Sequence, residues 1–148
     1  GDGIDVFIDA RPEKDQGKPD YTCQVFHLSI VPPTPDFPAP TVFVHRPVGK
    51  KPGGLPVDYL RGLVVEGGDL ADGYALEVKL PLSNFTKAQP GLVLGFDLAA
   101  GDSDDPAAKK RKSYLVWAGG ADDSKDASGF GKMIFGNGEA KASSPAKP

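Results

Sequence analysis

The chain has 148 residues, with 17 Lys and Arg against 20 Asp and Glu for a net charge of −3, and a single cysteine. That length suits one domain with a core of its own. The near balance of charge removes the electrostatic footprint of a general nucleic-acid binder, no apolar run approaches the roughly 18 residues of a membrane-spanning helix, and Cys23 alone excludes a disulfide framework or a multi-thiolate metal site. Glycine (19) and proline (15) are together about twice their usual share; with 39% hydrophobic and 25% charged residues, that excess belongs in the turns and loops of a globular domain.

The opening residues GDGIDVFID already alternate, with Ile4, Val6 and Ile8 on one face and Asp5, Phe7 and Asp9 on the other, which is the period of a strand. A domain that opens inside a strand reads as a piece of a longer chain. YTCQVFHLSIV at 21–31 opposes Phe26, Leu28 and Ile30 to Val25, His27 and Ser29 in the same way. Eight prolines follow between 32 and 56. Proline cannot donate to a sheet ladder, so about 32–60 reads as an extended surface insertion around one short strand, TVFVH at 41–45. RGLVVE at 61–66 is another β-branched run, and GYALEVKLP at 73–81 sets Tyr74, Leu76, Val78 and Leu80 on a buried face with Glu77 and Lys79 toward water. PLSNF at 81–85 is the short helical candidate, Pro81 suiting a first-turn position. LVLGFDLAA at 92–100, SYLVWA at 113–118 and FGKMIF at 130–135 complete a set of about eight strands. GNGEAKASSPAKP at 136–148 carries no large apolar side chain and reads as a disordered linker or tail. Many short strands, Gly/Pro turns and no crossover helices predict an all-β fold, an antiparallel, jelly-roll-like β-sandwich over residues 1–135.

The chemistry-bearing residues are few. No nucleophile elbow, HExxH, P-loop or GxGxxG leading into a helix is present, which argues against catalysis. His27 and His45 fall within strand patterns, where a half-exposed strand histidine is the ordinary role and a metal or haem ligand the alternative. Asp97, Asp102, Asp104 and Asp105, in and before the loop GDSDDP, supply enough hard oxygen for a Ca²⁺, without the spacing of an EF-hand; the alternative is a solvated turn. DDSKD at 122–126 carries the same two readings. Within KKRK at 109–112, Arg111 is either part of a mixed surface loop or a planar, multi-donor group leaning over hydroxyls. Trp117, the sole tryptophan, alternates in register with Leu115, while Tyr114 and Val116 share the other face; Trp117 is therefore core or a flat platform for a sugar ring.

The ordered series of Asp2–Asp9, a strand containing Tyr21, GYALEVKLPLSNF, GLVLGFDLAAGDSDD, KRKSYLVWAGG and SGFGKMIF resembles carbohydrate-binding module family 9, within the wider group of DOMON-like sandwiches. The resemblance covers roughly 2–135 apart from the proline-rich insertion, and is strongest from Tyr74 to Phe135. It implies a non-catalytic β-sandwich that binds saccharide, often with structural calcium, attached to secreted glycoside hydrolases. Family members usually carry further strands before the Asp2–Asp9 segment, so the first strands are expected to be missing. The site expected from this resemblance uses Trp117, Arg111 and Tyr114 for saccharide and Asp97, Asp102, Asp104 and Asp105 for calcium. The parent protein is expected to be bacterial and secreted, periplasmic or at the cell surface, with linked catalytic or surface domains. Two rival readings are a haem or redox DOMON-like domain, with Met133, His27 or His45 as axial ligands, and a structural spacer without ligand.

Overall fold

A computed structural model of the chain describes residues 2–34, 38–46, 61–102 and 112–136. Among these, the strands are β1 (Gly3–Asp9), β2 (Val25–Val31), β3 (Thr41–Arg46), β4 (Val64–Leu70), β5 (Gly73–Lys79), β6 (Val93–Asp102), β7 (Ser113–Val116) and β8 (Gly131–Ile134). The remaining regular structure is three single turns of 3₁₀ helix, at Glu13–Asp15, Leu82–Asn84 and Ala127–Gly129. The all-β expectation holds, and PLSNF contributes one 3₁₀ turn behind Pro81. The 32–60 insertion is described only through β3 and its flanks, and residues 137–148 of the expected tail lie outside the described residues. No helix among the described residues is long and apolar enough to cross a membrane.

β3, β2, β1, β6 and β7 form one sheet in that order, and β8 also pairs with β6; β4 and β5 form a separate two-stranded sheet. Every pairing is antiparallel. The ten-residue β6 runs beside β1 on one edge. Its other edge is divided, with Val93–Phe96 opposite β8 and Ala99–Asp102 opposite β7.

The alternation read from the sequence becomes two chemically different faces of the large sheet. Ile4, Val6 and Ile8 stand opposite Ile30, Leu28 and Phe26 on β2 and opposite Ala100, Leu98 and Phe96 on β6. This face looks toward the β4–β5 hairpin. Ile8, Ala10, Phe26, Leu28 and Leu94 form its buried centre, with Leu80, Leu82 and Phe85 packed against them, and Phe26 meets Phe85 edge to face at 5.0 Å. Between the sheets, Tyr74, Leu76, Val78 and Leu80 of the hairpin side share a half-open apolar cavity of about 530 Å³ with the large sheet.

The other face carries Asp5, Phe7 and Asp9 of β1 beside Ser29, His27 and Val25 of β2 and Ala99, Asp97 and Gly95 of β6. Strand alternation alone would send these acids to water. Instead Asp5, Asp9 and Asp97 are buried together with Phe7 and Val25, because residues 11–22 and 117–130 fold across them. Phe130 packs on Phe7 at 5.6 Å and meets Tyr21 edge-on at 6.4 Å. The Ala127 N–H donates to the Pro19 carbonyl at 3.1 Å, and the Tyr21 hydroxyl donates to the Asp123 carbonyl. Asp9 is held by Arg11, whose Nε and Nη2 donate to its two oxygens at 2.9 and 2.6 Å while Nη1 and Nη2 also donate to the Asp20 and Lys18 carbonyls. A buried carboxylate paired this way satisfies the rule that internal charge must be matched and hydrogen-bonded.

Candidate functional site

The polar face carries a concavity of about 400 Å³, lined among the described residues by Asp5, His27, Ser29, His45, Tyr114, Ala121 and Ser124. Four strands and a loop build it. Asp5, His27 and Ser29 are neighbours across β1 and β2, and Tyr114 arrives from β7 opposite Gly101, where the absence of a side chain leaves room. His45 comes from the edge strand β3, and Ala121 and Ser124 from the covering loop.

Asp5 organises this pocket. Its Oδ1 accepts from His27 Nε2 at 3.0 Å and from the Ser29 hydroxyl, and its Oδ2 accepts from the Tyr114 hydroxyl at 3.1 Å. A carboxylate only accepts, so His27 carries its proton on Nε2. Ser29 has spent its hydrogen on Asp5 and therefore accepts from His45 Nε2, at 2.8 Å. The rings form a column: Phe7 stacks on His27 at 4.4 Å, and His27 stacks on His45 at 4.5 Å. This arrangement is unsuited to nucleophilic catalysis. In a triad the acid and the hydroxyl address opposite nitrogens of the histidine, whereas here Asp5 and Ser29 both face Nε2 of His27, at 3.0 and 3.4 Å. The pocket instead offers a preorganised set of hydroxyl, imidazole and carboxylate groups in a space of the size small-molecule sites occupy, roughly 300–1,000 Å³.

The covering loop is fastened by a second pair of acids. Asp97 accepts from the backbone N–H groups of Leu98 at 2.7 Å, Ala118 at 3.1 Å and Gly119. Asp123 accepts from the Gly120 N–H at 2.9 Å and is 4% exposed. Burial pushes the Asp123 carboxyl up to about 6, and the neighbouring charge of Asp97 pushes the same way. Asp126 caps the turn that closes the loop by accepting from the Ser128 N–H at 2.8 Å, which lowers its own value.

The residues singled out in the sequence divide as follows. Tyr114 lines the pocket. Trp117 lies across the sheet from it: its backbone N–H donates to the Leu98 carbonyl, its ring sits 6.0 Å from Phe96, and it occupies the space a side chain at Gly131 would need. Trp117 and Tyr114 therefore do not share a site, as strand alternation requires, and Trp117 is neither buried core nor part of the pocket, being 60% exposed. Asp97 and Asp102 also point to opposite faces of β6, five residues or roughly 16 Å apart along the strand. One ion cannot be held by both, and among the described residues no group of three or more His, Cys, Asp or Glu is placed to hold a metal. Arg111, Asp104 and Asp105 lie outside the described residues. The same parity bears on one ligand pair of the haem alternative. Met133 stands opposite Leu94 on the apolar face, while His27 is on the polar one, so the two cannot be axial ligands of one haem. What the sequence reading missed is the convergence of Asp5, His27, Ser29 and His45. The signal was the recurrence of polar residues on one face of adjoining strands, which only the register turns into a pocket.

A carbohydrate-binding module family 9 domain from Caldicellulosiruptor kristjanssonii, solved in complex with cellotriose, superposes with a TM-score of 0.67 at 17% identity, over 99% of this chain and 64% of that one. A structure of a family 9 module from the same organism with glucose gives a TM-score of 0.67 at 15% identity, over 96% of this chain and 63% of the other. At such identities the likeness is one of fold, and this chain spans less than two thirds of the length of either solved chain. No curated protein matches the sequence significantly. Residues 1–137 match the family described as "Carbohydrate family 9 binding domain-like", and with a polar, non-catalytic pocket on a sandwich of that fold, the chain belongs to this family of binding domains.

Proposed function

We propose that the chain binds a saccharide, without chemistry, in the pocket around Asp5. The observation that carries this reading is the pocket itself, in which one buried carboxylate orders two histidines, a serine and a tyrosine into a wall suited to sugar hydroxyls. Family membership supports it, and so does the bound sugar of the two structural relatives. In a longer parent chain the module would tether a linked catalytic or surface domain to polysaccharide outside the cell, raising local substrate concentration through the linkage. Calcium belongs to the proposal only for the loop that begins at Asp102, without Asp97.

A second reading places the sugar on the exposed ring of Trp117, next to Leu115 at 76% and Leu98 at 40% exposure. One titration separates the two. Glucose, cellobiose, cellotriose and xylo-oligosaccharides are added to millimolar levels while tryptophan emission and amide NMR shifts are followed. The pocket reading expects shifts at Asp5, Ser29 and Tyr114, loss of binding in Asp5→Asn, and binding retained in Trp117→Ala. Quenching of Trp117, with binding lost in Trp117→Ala and kept in Asp5→Asn, overturns the pocket in favour of the indole.

A further inference from the structure

We propose that the apolar face of the large sheet is finished by strands of a parent chain preceding Gly1, which pair with the outer edge of β5 and lie over β6 and β7. The proposal stands whether or not the pocket around Asp5 takes a sugar, because it concerns the opposite face of the sheet.

Burial on this face fades in one direction. On β2, Phe26, Leu28 and Ile30 are fully buried, and on β1 Ile8 is 6% exposed. Leu98 on β6 is 40% exposed, Trp117 just past β7 is 60% exposed, and Leu115 on β7 reaches 76%. Leu115 stands opposite Ala100, and the Trp117 backbone N–H donates to the Leu98 carbonyl one pair further along, so these side chains form one continuous strip. A contiguous exposed apolar patch of this kind marks an interaction surface. Its cause is the width of the second layer, which among the described residues is two strands facing a sheet five strands wide. Tyr74, Leu76 and Val78 of β5 line the cavity between the layers and no described residue of β4 does, so β5 borders the open side. The outer edge of β5 has no strand partner among the described residues.

The chemistry and the path of the chain select the occupant. The cavity lining is aliphatic and aromatic, with Tyr74 as its one oxygen-bearing side chain among the described residues, so it suits apolar side chains and offers a sugar little to bond. The neighbouring strand edge presents N–H and C=O groups that an added strand satisfies. Strands lie about 4.8 Å apart, so the uncovered width of β6 and β7 takes about two of them, apolar at every second position. β1 begins with Gly3 opposite Gly101 of β6, the residue that also stands opposite Tyr114 of β7. A chain arriving at Gly3 therefore enters at one end of the bare strip, and about three extended residues cross the roughly 10 Å between packed sheets. More than a third of each family 9 chain solved with sugar lies outside its match to this one, which is more than two strands need. In the parent chain Trp117 is then a core residue, and the indole is not a platform for sugar.

The test is hydroxyl-radical footprinting of the parent chain, read by mass spectrometry, beside the 148-residue chain. Labelling of Leu115 and Trp117 should fall about tenfold in the parent, to the level of core residues. Phe43, 51% exposed on the opposite face, should label equally in both. Hydrogen exchange over Gly73–Lys79 should slow in the parent, because the β5 amides gain partners. The proposal is overturned if Leu115 and Trp117 of the parent stay as reactive as Phe43, if exchange in β5 is unchanged, or if no alternating segment precedes Gly1. It is also overturned if the 148-residue chain protects the two residues as its concentration rises and it dimerises in sedimentation, which assigns the face to a second copy. Protection that appears only with added cello-oligosaccharide overturns it in favour of the indole reading. Should the shorter chain fail to fold, Leu115 and Trp117 against Phe43 within the parent still decide.

Discussion

Replacing Arg11 by alanine removes the partner of a buried carboxylate and should be among the most damaging single changes on the polar face. Arg11 is 5% exposed and Asp9 1%, so the pair is inside the protein. Its guanidinium is held above its ordinary value chiefly by the hydrogen bond to Asp9. Truncation deletes both bonds to that carboxylate and those to the Lys18 and Asp20 carbonyls, leaving Asp9 the Arg11 backbone N–H at 3.0 Å. Breaking a buried pair on one side costs about 3–5 kcal/mol; the surviving N–H puts this case at the lower end, about 3 kcal/mol. Against a domain stability of about 5–15 kcal/mol that is a large fraction. With a urea m-value of about 1–3 kcal/mol per molar, the unfolding midpoint should drop by about 1–3 M. The double variant Asp9→Asn with Arg11→Met should recover much of the loss, because no charge is then stranded. A midpoint within about 0.3 M of the wild type would refute the reasoning, since it would mean that the pair is hydrated in solution.

Two further outcomes follow from the acids of the covering loop. The Asp123 carboxyl, raised from 3.8 to about 6, binds its proton more tightly in the folded than in the unfolded chain. This group's contribution to stability is therefore greatest at low pH and is lost as the pH rises from about 4 to about 6. Melting temperatures of Asp123→Asn across that range should lack the component, and a slope equal to the wild type's would count against it. For calcium, Ca²⁺ should raise and EDTA lower the melting temperature, since a ligand bound only by the native state stabilises it by mass action. Because Asp97 faces away from Asp102, Asp97→Asn should leave the size of that response unchanged; a response abolished by this substitution would contradict the geometry of β6.

Local alternation made the fold legible. Every strand read from period-two patterning exists, and the inward sets Ile4–Val6–Ile8 and Phe26–Leu28–Ile30 lie on one face as expected. β4 is the main displacement: the apolar run at 61–66 marks only its start, and the ladder continues through Gly67 and Gly68, which pair with Leu76 and Ala75. Glycine carries no strand propensity to read, and here it makes room, since a side chain at Gly67 would collide with Leu76. The site was less legible. The burial of Asp5, Asp9 and Asp97 was not legible, because alternation reports the two faces of a strand but not what lies over them. Their burial depends on contacts distant in sequence, such as Tyr21 with Asp123 and Phe7 with Phe130. Tyr114 was recognised as a site residue, yet its partners His27, Ser29 and His45 required the order β3-β2-β1-β6-β7, which no local pattern contains.

The divided edge of β6 bears on how this domain can change. Val116 stands opposite Ala99 and Gly131 opposite Phe96, so the segment 117–130 leaves and returns to one strand at points three residues, roughly 10 Å, apart. Both of its feet rest on the same rail, and the rail's far edge is locked to β1 along its length. Lengthening such a loop adds closure entropy only slowly, about 0.6 kcal/mol for each doubling, and disturbs no strand pairing. The wall of the pocket contributed by Ala121 and Ser124 is in this sense interchangeable, whereas the floor of Asp5, His27 and Ser29 is woven into the sheet. Relatives could thus acquire new ligand preferences by exchanging the wall while inheriting the floor.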